Sequence, residues 1–321
     1  MEIFEILKNK EEIEKRLISP ISSDILEKEL YEEADFIGKC PQTEGGLKIF
    51  ILGPNKGKNL LQEIGRLREL MFSLNGGGTG LNCDLDEFDY HYSQEIVWDS
   101  ENREIVGGYR FIIGSKLIYV DGKIHSAVSE LFRFSDDFIE NKLKKGIELG
   151  RSFVNLFSKK SRYGLRALWY GLGYLTKKYD FQYFFGKVTF YPMKMKKEAL
   201  DLVFYFLENQ FPGLSTDAKP LDEILYSVTT PAEDLEKLND EKFNWSENYD
   251  FNFPVFRKKL KVLKENYEPL LKSYMDLGDM TAYGGAFNSS CGGVVEILIV
   301  VNKEGIDEIK IQQFTSLDFN I

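Results

Sequence analysis

Between residues 147 and 211 the chain switches back and forth between two periodicities. "IELGRSFV" (147–154) and "YFFGKVTF" (183–190) read as strands. Each is followed by a helical pattern, "YGLRALWYGLGYLTKK" over about 163–178 and "MKKEALDLVFYFLENQF" over 195–211. Upstream, "QEIVWDSENREIVGGYRFIIG" reads as a hairpin, with strands around 93–98 and 104–113 joined by "DSEN". Strand, strand, strand, helix, strand, helix is the order of an α/β or α+β sheet with helices on its faces.

The flanks extend this plan. Residues 1–37 read as short amphipathic helices, the first ended by Pro20 and the next capped by Ser22 or Ser23. The expected organisation is a helical extension over 1–45 and one domain over 46–321. "LKIFILG" (47–53) predicts a strand, and residues 59–72 a helix with Leu60, Ile64, Leu67 and Met71 on one face. "SLNGGGTGLNCDLDEFDYHY" is too glycine-rich to stay helical and reads as a loop holding its own acids. "FSDDFIENKL" predicts a short helix capped by Ser135. Acids dominate residues 213–253, which read as an insert running over the surface. Residues 255–278 return to helical spacing, interrupted near Pro269, and "GGVVEILIVV" (292–301) has the look of a strand covered on both sides.

Composition excludes several classes. No apolar run approaches the roughly 20 residues of a membrane span, and the charged start lacks the apolar centre of a signal peptide, so a cytoplasmic protein is expected. Three scattered cysteines and two histidines build neither a disulfide framework nor a metal site. A net charge of −10 argues against nucleic acid, yet residues 141–197 hold 14 Lys or Arg against two acids, a local +12 that leaves −22 elsewhere. Such segregation favours a docking face for an anionic partner, phosphate or an acidic carrier protein. The aromatic content of 14% suits a pocket for something long and apolar, besides an ordinary core.

Glu148 and Arg151 interrupt the strand at 147–154. Strict alternation sends them to opposite faces, being three apart. Gly150 between them predicts a bulge that re-aims a side chain, so that both ions approach one cleft. The other reading is an edge strand with both charges in water. Arg68, Asp86, Asp89 and Arg110 also stand beside apolar runs, and each taken singly reads as a surface residue or a local cap.

Taken in order, "RLRELMF", "DLDEFD", "EIVGGYRF", "IELGRSFV", "LWYGLGYL" and "YFFGKVTF" resemble the carrier-dependent branch of the GNAT acyltransferase superfamily. Arg68 with Phe72, Asp86 with Asp89, Arg110, and Glu148 with Arg151 occupy the skeleton of acyl-homoserine-lactone synthases. "GRLRE", "GGGTG", "ELGRSFV", "FFGKVT" and "LLKSYMDLG…GGAFNSSCGGVVEILIVV" are closer to the hemolysin-like N-acyltransferases of ornithine and glycine lipids, particularly the Bacteroidetes type.

The resemblance implies a GNAT fold: a central mixed, twisted sheet whose parallel strands 147–154 and 183–190 splay around the donor's pantetheine arm, with helices on both faces. It implies Glu148 as general base, with Arg151, Arg68, Asp86, Asp89 and Arg110 around it. The arginines either hold an acceptor carboxylate or form an internal network with the aspartates. Ser152, Phe153 and Val154 are implied along the donor arm, and Arg162, Gly164 and Arg166 at its phosphate. Lys159, Lys160, Arg162, Arg166, Lys177 and Lys178 then become docking residues for acyl carrier protein. The implied reaction moves a long or 3-hydroxy fatty acyl chain from acyl carrier protein or acyl-CoA to the amine of glycine or ornithine. The product is an aminolipid, with no permanently bound cofactor, no metal and no nucleic acid, and with contact at the inner membrane surface. The alternatives are an acetyl-CoA-dependent N-acetyltransferase on a small amine or peptide, and a non-catalytic GNAT relative that binds lipid or carrier.

Overall fold

A computed structural model describes residues 3–40 and 46–307, together with residues 312, 315 and 319. Residues 41–45, the end of the expected extension, and most of 308–321 lie outside these. Among the described residues nine strands form one sheet: β1 (Ala34–Cys40), β2 (Leu47–Leu52), β3 (Ser93–Asp99), β4 (Glu104–Ile113), β5 (Gly146–Val154), β6 (Tyr183–Phe190), β7 (Leu225–Tyr226), β8 (Gly278–Asn288) and β9 (Val294–Ile306). Their order is β1-β2-β3-β4-β5-β6-β9-β8-β7. Every neighbouring pair is antiparallel except β5 with β6, which a helical crossover makes parallel.

The helices are α1 (Ile3–Glu14), α2 (Ser23–Glu33), α3 (Lys58–Leu74), α4 (Gly164–Lys178), α5 (Lys197–Gln210), α6 (Tyr249–Val262) and α7 (Pro269–Met275), with shorter turns between. Strand alternation divides the core. Ile147, Leu149, Phe184, Val188, Ile297 and Ile299 point to the face covered by α4 to α7. On the other face, α1 to α3 cover Phe50, Ile96 and Trp98. Residues 117–143 cover Ile112, Phe185, Leu298 and Val300 beside them. The expected mixed α/β sheet with helices on both faces is what forms.

Three expectations are modified, and one strand is new. The helical lead-in stops at Glu33, because Ala34–Cys40 pairs with the edge of β2 and buries Ile37 and Cys40. The acidic insert at 213–253 is more than a surface excursion: it supplies β7 and buries Tyr226, Leu235 and Phe243. Asp201 of α5 fastens its start, accepting from Tyr226 Oη, Thr230 N and Thr230 Oγ1. Pro269 does not interrupt a helix but opens α7, where its missing N–H is harmless. β8, rich in glycine, carried no strand signal in the sequence.

Pairing between β5 and β6 runs from Gly146 opposite Tyr183 to Leu149 opposite Gly186 and stops there. Beyond that pair the two strands diverge, the splay expected of the central parallel strands. A Cβ on Gly186 would sit 2.3 Å from Leu149 O, so only glycine lets the chains approach at the last rung before the gap. Gly186→Ala is expected to lower stability by about 1–3 kcal/mol, read as a fall in urea midpoint. Gly150→Ala, whose Cβ meets nothing nearer than 3.8 Å, should leave the midpoint unchanged or raise it. Equal midpoints for the two variants would contradict this account of the gap.

Candidate active site

The strand at 147–154 does contain a bulge. Gly150 pairs with Arg110 and Phe153 with Gly108, so Arg151 and Ser152 together face Tyr109. The bulged residue is Arg151, with φ 53, while the glycine keeps its ladder partner. A non-glycine residue in the left-handed region costs about 1–2 kcal/mol. The contacts made by the guanidinium hold it there. The extra residue also changes the parity of the strand. Leu149 packs under α4, and strict alternation would return Phe153 to the same face, yet Phe153 packs with Ile96 and Trp98 on the other. Arg151 thereby joins Glu148 on the face away from α4, and both line one cavity.

Glu148 is 1% exposed. Its Oε2 accepts from Tyr92 Oη at 3.1 Å and its Oε1 from Val128 N at 3.0 Å, while Tyr92 Oη accepts from Ala127 N at 3.1 Å. Burial pushes the carboxyl up to about 7, against the pull of the Tyr92 hydrogen bond and of the Lys187 and Arg110 charges. The other five predicted catalytic residues form one ion network with Asp84. Arg68 spans Asp84 Oδ2 at 3.0 Å and both oxygens of Asp89 at 2.7 and 2.9 Å. Arg110 Nη1 reaches Asp86 Oδ1 at 2.5 Å and Asp89 Oδ2 at 3.1 Å. Arg151 is held more loosely: Nη2 lies 3.4 Å from both Asp84 and Asp86, and Nη1 donates to Cys291 Sγ at 3.2 Å. Arg68 and Asp89 are buried behind the cavity, whereas Asp84, Asp86, Arg110 and Arg151 line it. Asp84, two residues before Asp86 in "CDLD", was not singled out by the sequence reading.

The cavity holds about 920 Å³ and passes through the sheet at the gap between β5 and β6. On one side stand Asp86, Arg110, Arg151, Glu148, Lys187 and Glu296, and on the other Leu168, Trp169, Leu172, Phe184, Ile299 and Val301. Lys187 and Glu296 were missed, though a lone charge in an apolar strand is the same signal that marked Glu148. Lys187 Nζ donates to Ala127 O at 2.9 Å and lies 3.2 Å from Glu296, which also accepts from Asn288 at 2.8 Å. Burial raises the Glu296 pKa, but Lys187 and Asn288 more than offset it, so this carboxyl stays below its usual range.

Of the predicted donor contacts, Ser152, Phe153 and Val154 line the cavity; Arg162, Gly164 and Arg166 lie beside it, at the start of the helix whose Leu165 does. Gly164 answers to packing, since its Cβ would meet Val154 Cγ1 at 2.6 Å. The basic docking residues do not form one patch. Lys160 is 3.0 Å from Asp99 and 2.9 Å from Glu101, and Lys177 and Lys178 end the 15-residue α4, about 20 Å from its start.

Burial raises the Asp89 pKa, but Arg68 and Arg110 outweigh it and hold the carboxyl below its ordinary value. Its contribution to stability is therefore present above about pH 4 and lost as pH falls through the lower folded value. Asp89→Asn leaves buried guanidinium charge uncompensated and is expected to cost about 3–5 kcal/mol at pH 7. Urea unfolding at neutral and at acid pH should show the gap between variant and parent narrowing in acid.

Residues 67–169 match the family model described as an acetyltransferase (GNAT) domain. A glycine N(alpha)-acyltransferase of Bacteroides thetaiotaomicron is 35% identical over 305 residues, 91% of this chain and 86% of that one. A protein of the same name from Phocaeicola vulgatus is 36% identical over 306 residues, 89% of each chain. Among solved structures, the acyl-homoserine-lactone synthase LasI is 17% identical with a TM-score of 0.30, covering 48% of this chain and 70% of that one. With identity of this order along most of its length, the chain belongs to the GNAT acyltransferase family and is an N-acyltransferase.

Proposed function

We propose that the protein transfers a long fatty acyl group from a thioester donor, acyl carrier protein or coenzyme A, to the amine of glycine, forming an N-acylglycine aminolipid. The observation that carries this reading is the two-sided cavity: a carboxylate near neutrality on one side of the sheet, an apolar chamber on the other, and an open gap between. Its volume of about 920 Å³ is at the upper end for small-molecule sites and far exceeds the needs of an acetyl group. The relatives' names supply glycine.

The fatty chain lies among Leu168, Trp169, Leu172 and Phe184, and the thioester sits in the gap. Beyond Leu149 and Gly186 the facing strand edges have no ladder partner, so their N–H groups are available to the donor arm and to the oxyanion. Arg151 and Lys187 hold the glycine carboxylate, Arg151 being the least committed of the three arginines. Glu148 takes a proton from the ammonium or attacking amine. The nitrogen forms its bond to the carbonyl carbon, the C–S bond breaks, and the thiolate leaves with a proton. Lys159, Arg162 and Arg166, at the start of α4, face the donor's phosphate or the acidic carrier. No described helix is long and apolar enough to cross a membrane. In this reading the aminolipid product passes to the membrane by peripheral contact with its surface.

Incubation with palmitoyl-carrier protein, palmitoyl-CoA and acetyl-CoA should give thiol release that depends on glycine and on the long chain. Release with acetyl-CoA alone, or with ornithine in preference to glycine, would overturn the substrate assignment. In the active enzyme, kcat/KM is expected to rise as one proton leaves near pH 7 and to flatten above it, because the base must be ionised. Glu148→Gln should remove that limb and lower kcat by about 100- to 10,000-fold.

A further inference from the structure

Six acids line the cavity: Asp84, Asp86, Glu130, Glu148, Glu268 and Glu296. Five of them have partners within the protein. Asp84 meets Arg68, Asp86 meets Arg110, and Glu148 accepts from Tyr92 and Val128. Glu268 accepts from Leu270 N at 3.4 Å, while Glu296 accepts from Asn288 and pairs with Lys187. Glu130 is the exception: among the described residues its carboxylate has neither an ion pair nor a hydrogen bond.

The turn that carries Glu130 is fixed in place. Val128 N donates to Glu148 Oε1 and Ala127 O accepts from Lys187 Nζ, while Ser129 N and Leu131 N donate back to Ser126 O and Val128 O. Glu130 is thereby held, exposed, at the rim of the cavity on the side of Lys187. An acid on a solvated face would keep its ordinary acidity. The walls around Glu130 instead withdraw enough water to raise its pKa, against the pull of Lys187, Arg110 and Arg151 and with a push from Asp86. It is a partly desolvated charge without a counter-ion, and a cation beside it would offset the cost of that desolvation.

We propose that Glu130 receives the ammonium of the amino-acid acceptor and completes, with Arg151 and Lys187, a subsite for both ends of a zwitterion. This rests on the acyltransferase reading given above and deepens its acceptor site. In glycine a single methylene separates ammonium from carboxylate, so the groups that hold the two ends must be neighbours. The charges of Lys187 and Arg151 both bear on Glu130, which meets that condition. Glu148 is a poor substitute for this task. Both of its oxygens are occupied, by Tyr92 and Val128, and near pH 7 its charge is only partial. Glu130 binds the cation at the rim, and Glu148 removes the proton deeper in.

The test compares glycine with glycolate, in which a neutral hydroxyl replaces the ammonium. Binding of each to the purified protein is measured by calorimetry in the parent, in Glu130→Gln and in Glu148→Gln. The parent should favour glycine by about 3- to 30-fold. Glu130→Gln should bring that ratio close to one, and Glu148→Gln should keep it. Equal binding of the two acids by the parent, full preference retained in Glu130→Gln, or preference lost in Glu148→Gln alone would overturn the proposal. Glycine-dependent thiol release is measured in parallel, where the loss in Glu130→Gln should fall on KM for glycine and Glu130→Asp should recover part of it. Thiol release by the parent that ignores glycine counts against the acceptor reading. Release that needs glycine, with the same KM in Glu130→Gln as in the parent, overturns the subsite alone.

Discussion

One extra residue in β5 underlies the site. With strict alternation, Arg151 would lie under α4 in an apolar chamber, on the other side of the sheet from Glu148. The bulge at Arg151 and Ser152 returns the guanidinium to the carboxylate's side. It follows within two residues of the last rung between β5 and β6, and a bulge bends the strand that carries it. Side-chain convergence and the gap in the sheet are thus consequences of one local event. The gap in turn exposes backbone groups that a continuous sheet would have paired. A thioester substrate can use them, which explains why the ladder is left incomplete at the centre of the sheet, where an opening would otherwise be costly.

Electrostatic balance then decides what Glu148 can do. Two arginines line the same cavity and a third stands just behind it, and guanidinium charges at such range would ordinarily keep a carboxyl ionised far below neutrality. Here each arginine is matched by Asp84, Asp86 or Asp89, and Lys187 is matched by Glu296. The surroundings of Glu148 are therefore nearly neutral in sum, and desolvation becomes the largest influence on it. The aspartates act on the base indirectly, by cancelling the field that would otherwise remove its basicity. Arg110 stacks against Phe88 and Tyr92 at 5.6 and 5.4 Å, which fixes it among the aspartates rather than against the carboxylate.

Much of this could be read along the chain. Periodicity located β2 to β6, β9 and helices α3 to α5, and the odd spacing of Glu148 and Arg151 around a glycine pointed to a bulge in the right segment. What the chain does not display is register between distant segments. Lys187, Glu296 and Glu95 are single charges in apolar strands, as Glu148 is, but which face each occupies depends on partners up to more than a hundred residues away. Lys187 and Glu296 meet only because β9 returns to pair with β6. Local glycine reasoning also misplaced one feature by a residue, since Gly150 is an ordinary ladder residue and the bulge falls on Arg151. β8 escaped notice because its glycines answer to distant segments: a Cβ on Gly285 would meet Phe204 at 2.4 Å, and one on Gly278 the Gly305 carbonyl at 2.4 Å.

The N-terminal helices belong to this site, although they touch none of its reacting groups. Gly76, Gly78 and Gly80 take positive φ values of 87, 88 and 76, and the loop they form walls the cavity through Gly77, Gly78 and Thr79. Such a loop has no regular ladder to hold it. Its shape comes from Glu69, wholly buried on α3, which accepts from Thr79 N and Thr79 Oγ1 at 2.8 Å and from Gly80 N at 3.0 Å. A buried carboxylate with only neutral donors is a weak anchor, and the missing charge arrives from outside the sheet. Arg16, just past α1, lies 2.7 Å from Glu69 and also donates to Ser73 Oγ and Leu81 O. Ile18 N extends the seam to Asn82 O at 3.0 Å. The segment after α1 therefore supplies the counter-charge that fixes one wall of the cavity, on the same physical terms by which the aspartates fix the arginines at the other.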